Sequence, residues 1–328
     1  MTSPATGSPT LLASDEWRKR RQAHIERVEE RTAAHLERRA RGQRHPVWDF
    51  LFDYYPITPG QLKHFTPGFE FALADATAED IAHLKFFRLQ HVNGTNTASG
   101  AMAGGKKDAD EGGASEHGVD KATAVFDTQA YLNKRGKTVR YILDLLQQTA
   151  SRPAHFDCFG LHEWAMVYHT DSPRHRDPLR LTPAQTDAVV DSHTIKCSHY
   201  DAYRFFTKDA VDKNTLRPTR ATQPMCEQGG CLHANMDLYK WASKLGEIVP
   251  SEVLLDCFDL ARRAREMDMR AAPYDLLEWG FTPIKIETSE GKAEYVALQR
   301  QIAADAAVLR AKLIGYAERV LATSSADV

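Results

Sequence analysis

The chain has 328 residues, 42% of them hydrophobic and 26% charged, which is enough to bury a large core in an ordinary globular protein. A formal net charge of −2 and a pI of about 6.7 exclude a strongly basic protein, so any contact with nucleic acid has to come from a local patch. Five cysteines without a secretory signal favour free thiols and a cytoplasmic location, and the absence of a long apolar run argues against membrane association.

The N-terminal part of the sequence is predicted to be a tail followed by helices. Residues 1–13 are rich in Ser, Thr, Pro and Gly, which is typical of a flexible tail. Ser14 is a suitable N-cap for a long helix that ends near Gly42, and residues 14–91 form the predicted N-terminal helical portion. The many arginines and glutamates of the first helix favour a solvated, salt-bridged face, with a phosphate-contacting arm as the alternative.

The remainder of the chain is divided by one stretch of unusual composition. Residues 92–123 consist largely of Gly, Ala, Asp, Lys and Ser and predict a mobile insertion, because they cannot bury enough apolar surface to offset their ordering entropy. Residues 124–322 carry helical apolar stripes and form the predicted main body, followed by a tail at 323–328. Residues 282–286 form one of the few strand-like alternations. We therefore predict a mainly α fold, a single large helical domain with few short strands and long amphipathic helices at both ends.

Histidines are concentrated in one quarter of the chain, where seven of the fourteen lie between His155 and His233. In the block CFGLHEWAMVYH, His162 and Glu163 are adjacent in an otherwise apolar helix. A carboxylate among aromatic side chains is poorly solvated, which raises its pKa and suits it to general acid–base catalysis. The alternative is a core glutamate that pairs with an arginine.

Three further blocks contain candidate site residues. In SHTIKCSHYDAYRFF, His199 and Asp201 are predicted as a base with its orienting partner, close to Arg204. In CEQGGCLHANMDLYKW, the spacing of the two cysteines is a weak signal for a zinc site. The Gly-Gly turn instead predicts the start of a helix whose polar residues bind a substrate. In AREMDMRAAPYDL, Asp268 and Arg270 are predicted to pair at a helix end.

Several common catalytic motifs are absent from the sequence. It has no glycine-rich dinucleotide fingerprint, no P-loop, no Gly-x-Ser-x-Gly elbow and no His-Glu-x-x-His zinc motif. Nucleotide-cofactor redox chemistry, P-loop phosphoryl transfer and serine hydrolysis are therefore disfavoured.

The blocks HPVWDFLFDYY, CFGLHEWAMVYH, CSHYDAYRFFT, CLHANMDLYKWA and EMDMRAAPYDL resemble a group of actinobacterial proteins commonly labelled 3-methyladenine DNA glycosylase. The resemblance extends from about Trp17 to Leu321, and residues 92–123 match it poorly. It implies a DNA-repair hydrolase that needs no cofactor. Such an enzyme flips an alkylated purine into a stacking pocket and directs a carboxylate-activated water at the sugar.

The leading hypothesis is accordingly an N-glycosidic-bond hydrolase acting on alkylated purine in DNA or on a related nucleoside. Its catalytic residues would be Glu163 or Asp201 as general base and His199 as orienter or acid. The residues predicted to bind substrate, by stacking, polar contact or phosphate contact, are His162, Trp164, Tyr168, Arg204, His233, Asn235, Asp237 and Tyr239.

Two alternatives come from other classes of protein. The first is a metal-dependent enzyme acting on a small molecule, because histidines and carboxylates suit Fe(II) or Zn(II). Its ligands would be drawn from His162, Glu163, His193, His199 and His233. The second is a non-catalytic binding protein in which the same histidines are satisfied core groups.

Overall fold

The computed structural model describes residues 8–91, 122–172 and 177–323, and it confirms the predicted mainly α fold with a small sheet. The α-helices of the described residues are α1 (Ser14–Ala40), α2 (Phe50–Tyr54), α3 (Pro59–Leu62), α4 (Ala78–Ile81), α5 (Thr128–Ser151), α6 (Leu161–Ala165), α7 (Pro183–Asp191), α8 (Tyr200–Tyr203), α9 (Gln223–Cys226), α10 (Leu232–Met236), α11 (Leu238–Leu245), α12 (Ser251–Ala271) and α13 (Ser289–Thr323). Short 3-10 helices lie at Val211–Lys213, Gly246–Ile248 and Leu277–Trp279. The strands are β1 (Thr10–Leu12), β2 (Phe71–Ala76), β3 (Phe87–Gln90) and β4 (Ala122–Phe126).

The four strands form one sheet in the order β1-β2-β4-β3, in which β1 runs parallel to β2 and the other pairs are antiparallel. The register shifts between Leu73 and Ala76, where Asp75 has a positive φ of 51°. Leu12 is buried against the sheet, and β1 pairs with the start of β2. The prediction of a flexible tail is therefore wrong for residues 10–12, because their backbone groups are hydrogen-bonded in the sheet.

Helix α1 joins the sheet to the helical body through one buried face. That face is formed by residues at helical spacing, namely Trp17, His24, Val28, Thr32 and His35. Beside that face, the partly exposed Arg27 pairs with Asp256 and Asp259 of α12 at 2.8 Å each. The prediction of a salt-bridged face is thus confirmed. The predicted cap is wrong, because Ser14 is already helical and Ala13 takes the N-cap position without a side-chain bond.

The N-terminal portion and the main body share one core. Leu51 and Tyr55 belong to the same buried cluster as the apolar faces of α10, α11, α12 and α13. The predicted insertion lies outside the described residues, except at 122–123, which begin β4. Residues 282–286 form a loop instead of a strand, because Ile284 donates its backbone N–H to Arg270 O at 2.7 Å and buries its side chain in the core. No helix within the described ranges is long and apolar enough to cross a membrane.

Two glycines stand just before α6 and α10, the helices that carry His162 and His233. Gly160 precedes α6 with a positive φ of 69°, a conformation that most other residues avoid. Gly230 precedes α10, and a Cβ atom there would lie 2.2 Å from the carbonyl oxygen of His155. Helices α6, α10 and α12 bring polar side chains together inside the core.

Candidate metal centre

His162, His233 and Asp268 form the one group in the described ranges whose side-chain ligand atoms lie close enough to hold a metal ion. One ligand atom from each lies within 4.8 Å of the other two. His162 is the second residue of α6, His233 the second residue of α10, and Asp268 lies in the last turns of α12. His162 and Asp268 are only 6% and 2% exposed, so the group is inside the protein.

The three side chains are close but do not satisfy one another with hydrogen bonds. His162 Nε2 lies 3.0 Å from Asp268 Oδ1, within ion-pair distance, yet both atoms are buried and neither meets the geometry of a hydrogen bond with any partner. His233 Nε2 lies 3.9 Å from the other carboxylate oxygen, and the two imidazoles meet edge to face at 4.4 Å. Buried polar atoms are almost always paired, so this arrangement calls for a further partner.

Asp268 also forms a buried ion pair with Arg265, which pairs with Glu163 as well. Arg265 Nη1 lies 3.3 Å from Asp268 Oδ2 and 3.2 Å from Glu163 Oε1. The guanidinium also lies 3.9 Å from the ring centroid of Phe50. Glu163 is therefore a core glutamate paired with an arginine, the alternative recognised in its sequence. The predicted pairing of Asp268 with Arg270 is wrong, because Arg270 pairs with Glu294 at 3.1 Å.

A second histidine cluster lies directly beside the first. The ring of His199 stacks on that of His233 with centroids 5.3 Å apart. His199 Nε2 is 3.3 Å from Glu227 Oε1 and 3.4 Å from Asp237 Oδ2. Asp237 in turn accepts hydrogen bonds from Tyr55 Oη and Lys240 Nζ, each at 2.8 Å. The charges of this second cluster are therefore balanced within the protein.

The surroundings shift the pKa values of these groups in different directions. Burial lowers the pKa of His233 to about 3, with repulsion from His162 adding to the effect, so its imidazole is neutral. Burial also opposes the charge of His162 and His199, but neighbouring carboxylates outweigh it and raise both pKa values. For Asp237 and Asp268, burial is outweighed by neighbouring positive groups, which keep both pKa values well below the usual range.

Asp201 does not act as the partner of His199. Its carboxylate forms ion pairs with Arg204 at 3.2 Å, Arg220 at 3.0 Å and Lys240 at 3.2 Å. Burial raises its pKa, but Lys240 and Arg220 outweigh this and lower it, so Asp201 is a weak base. The predicted base-and-orienter pair is therefore wrong, since Asp237 and Glu227 are the carboxylates that face His199 Nε2.

The aromatic residues predicted to stack a purine are core residues. Trp164 is fully buried, and its indole N–H donates to Ala271 O at 2.9 Å. Tyr239 is 1% exposed and packs edge-on against Tyr55 and Phe258. Tyr168 lies under His169 and donates to Asp191 Oδ1 at 2.8 Å. These positions contradict the predicted stacking roles, because a base would have to displace core packing to reach the rings.

Two other predicted residues have structural partners. Asn235 is buried, donates to Gly229 O at 3.0 Å and accepts a hydrogen bond from Arg310. His193 lies apart from the cluster at the end of α7, where its Nδ1 is 2.6 Å from Val189 O. Of the predicted metal ligands, the structure thus brings His162 and His233 together and leaves His193 outside.

A small cavity of about 20 Å³ reaches His162 from the other side. It is lined by three cysteines, Cys158, Cys197 and Cys231, and by Tyr295. A cavity of this size has room for about one water molecule. The immediate surroundings of the cluster therefore leave little free space.

Comparison with protein-family models, with curated proteins and with solved structures finds no match for this chain. The functional interpretation therefore depends on the geometry of the site itself.

Four residues of the site were not predicted as site residues: Asp268 as a ligand, Arg265, Glu227 and Lys240. For two of them the sequence carries a usable signal. Arg265 stands three residues before Asp268, and Lys240 three residues after Asp237. Helical neighbours at this spacing share a face. Glu227 has no comparable signal, because its partner His199 lies far away in the sequence.

Proposed function

We propose that the protein is a metal-dependent enzyme whose Fe(II) or Zn(II) is held by His162, His233 and Asp268. The observation that carries the proposal is the mutual approach of three ligand atoms to within 4.8 Å while His162 Nε2 and Asp268 Oδ1 lack hydrogen-bond partners. Two imidazoles and one carboxylate are a donor set that both metals accept.

The charges around the site fit a divalent cation. Asp268 and Glu163 carry two negative charges, and Arg265 between them carries one positive charge. His233 is neutral, as a ligating histidine must be. A bound metal would offset the negative charge of Asp268, which otherwise outweighs burial and raises the pKa of His162. The Arg265 contact would keep the carboxylate oriented, as outer-sphere partners of metal ligands commonly do.

Three protein ligands indicate a catalytic site more than a structural one. Structural zinc sites are usually closed by four protein ligands, whereas catalytic sites keep a position open for substrate. A metal at this place would supply Lewis-acid or redox chemistry. The cavity beside His162 has room for about one water molecule, which favours a small molecule over a large one as substrate.

His199 is the group best placed to assist the reaction. Its ring lies 5.3 Å from that of His233, and the carboxylates of Asp237 and Glu227 outweigh burial and raise its pKa, which favours the protonated form. It would hold a positive charge next to the metal ligands without competing for the metal. We place this reaction class ahead of glycosidic hydrolysis because Trp164 and Tyr239 offer no open stacking surface.

The test is the metal content of the purified full chain after reconstitution with Fe(II) or Zn(II). We expect about one metal per chain, because three protein ligands define one site. Asp268→Ala should lose the metal. His193→Ala is the matched control, since it removes a histidine outside the cluster and should keep the metal.

X-ray absorption at the metal edge provides a second readout. It should report only nitrogen and oxygen ligands at about 2.0–2.2 Å. A chain that binds neither metal, or an Asp268→Ala variant that folds and keeps full occupancy, would contradict the proposal. Circular dichroism on each variant separates metal loss from unfolding.

A further inference from the structure

A groove between the end of α5 and the middle of α13 has a volume of about 640 Å³, and none of the proposed metal ligands lines it. Six of its twelve lining residues are alanines, and Phe156 also lines it. Three arginines reach it, Arg152, Arg300 and Arg310, and we call it the arginine groove. The proposed metal chemistry uses none of these residues.

Arg310 is the most unusual of the three because it is buried without an anionic partner. It is 3% exposed, its Nη2 donates to the neutral oxygen of Asn235, and its Nε is buried without a hydrogen-bond partner. Burial lowers its pKa, although Glu227 acts in the opposite direction from beyond ion-pair distance. A buried cation without a bound anion is costly, so this position calls for negative charge.

Arg152 and Arg300 also have no carboxylate partner among the described residues. Arg152 donates to backbone carbonyl oxygens, among them that of Pro224 at 2.6 Å and that of Glu227 at 3.1 Å. The guanidinium of Arg300 lies 5.2 Å from the ring centroid of Phe156. Within the described ranges, none of the three arginines forms an ion pair with a carboxylate.

The arginines of α1 show the opposite arrangement. Arg20, Arg27 and Arg31 all pair with carboxylates of α12, at distances between 2.7 and 2.9 Å. The chain thus has acidic partners where an arginine serves packing between helices. In the arginine groove, by contrast, three arginine side chains line an open space and have no carboxylate partner within the described ranges.

We propose that the arginine groove binds a small organic phosphate, with the phosphate held by the arginines and a narrow apolar or aromatic part against the alanine walls. Guanidinium groups match phosphate oxygens in geometry and charge, and a doubly charged phosphate balances several arginines better than one carboxylate does. A volume of about 640 Å³ is within the range of small-molecule sites. Phe156, already covered on one side by Arg300, offers a ring edge for the apolar part.

Calorimetric titration of the full chain tests the proposal with four probes: inorganic phosphate, AMP, adenosine and a single-stranded oligonucleotide. We expect AMP to bind at one site per chain and more tightly than either phosphate or adenosine. Arg300→Gln should weaken AMP binding about tenfold, since a hydrogen bond to a charged group contributes on this scale. Arg300 is exposed, so this variant should fold normally.

Two further variants distinguish the effect of blocking the groove from the effect of removing a positive charge. Ala307→Phe places a ring in the groove without changing the net charge and should abolish AMP binding. Lys312→Gln removes one positive charge from the same helix outside the groove and should bind AMP as the unaltered chain does.

Several outcomes would overturn the proposal. These are no binding of phosphate or AMP, AMP binding no tighter than adenosine or phosphate, and AMP binding that survives Ala307→Phe. Oligonucleotide binding that exceeds AMP binding and falls steeply with salt would assign the surface to nucleic acid instead. The metal content of each variant should be unchanged, so the two proposals fail or hold separately.

Discussion

Among the described residues, two of the buried pairs of a histidine and an aspartate look alike in composition but differ in geometry. In one, Asp49 accepts hydrogen bonds from His35 Nδ1 at 2.9 Å, from the backbone N–H of His45 at 2.9 Å and from Arg38. In the other, His162 Nε2 and Asp268 Oδ1 lie 3.0 Å apart without a hydrogen bond. The two pairs thus differ in whether the protein itself satisfies the carboxylate, and this difference is the basis for proposing a metal at His162, His233 and Asp268 only.

The largest expected effect is metal-dependent stabilisation at the second pair. A metal present at about 100 times its dissociation constant should raise the free energy of unfolding by about 2.7 kcal/mol, because it binds only the folded chain. Thermal unfolding with and without Zn(II) measures this gain. Asp268→Asn should abolish the gain, and Asp49→Asn should keep it. If Zn(II) raised the free energy of unfolding equally in both variants, Asp268 would be no more important for metal binding than Asp49.

The next effect concerns the first pair and depends on pH. Hydrogen bonds from Arg38 and His35 outweigh burial and lower the pKa of Asp49 from 3.8 to about 2. A carboxyl group with a lowered folded-state pKa stabilises the protein above its unfolded pKa and loses that contribution as the pH falls through the folded value. Asp49→Asn should therefore cost about 2 kcal/mol at neutral pH. Denaturation at a series of pH values should show the cost shrinking below about pH 4 and nearly vanishing near pH 2. A cost independent of pH would exclude this origin.

The smallest effect on stability is expected at the partly exposed ion pairs between α1 and α12. Arg27 pairs with two carboxylates of α12, but its side chain is 33% exposed to solvent. Exposed ion pairs contribute little because water screens them, so Arg27→Gln should lower the unfolding free energy by about 1 kcal/mol or less. Urea denaturation at low and at high salt checks this. A loss equal to that of Asp49→Asn would show that exposure does not separate the two kinds of pair.

The long helices could be predicted from the sequence, and the short elements could not. Helices α12 and α13 follow apolar stripes at helical spacing, whereas α1, whose buried face is largely polar, was recognisable from Gly42 just beyond its end. Strand β1 has three residues, too few for an alternation to be recognised. Residues 282–286 alternate because Ile284 and Ile286 face the core from a loop, not from a strand.

The candidate site was predictable in part. His162 and His233 stood out as polar residues in apolar blocks, and both belong to the cluster. The partner of Asp268 was misassigned to Arg270, two residues away, although helical side chains two residues apart point to different sides. Arg310 also had a signal, since it falls beside Leu309 and Leu313 in the buried stripe of α13. Which blocks meet in space depends on the packing of α6, α10 and α12, which no local pattern encodes.

Strand β1 determines where the protein can be shortened or fused without exposing a sheet edge. The backbone of Thr10–Leu12 covers the outer edge of β2, so residues ahead of α1 act as a shield against edge-to-edge association. A chain shortened to begin at Ser14 would leave the unpaired groups of β2 ready to recruit a strand from another molecule. Any fusion partner is therefore better joined through a spacer ahead of Thr10 than directly to the first helix.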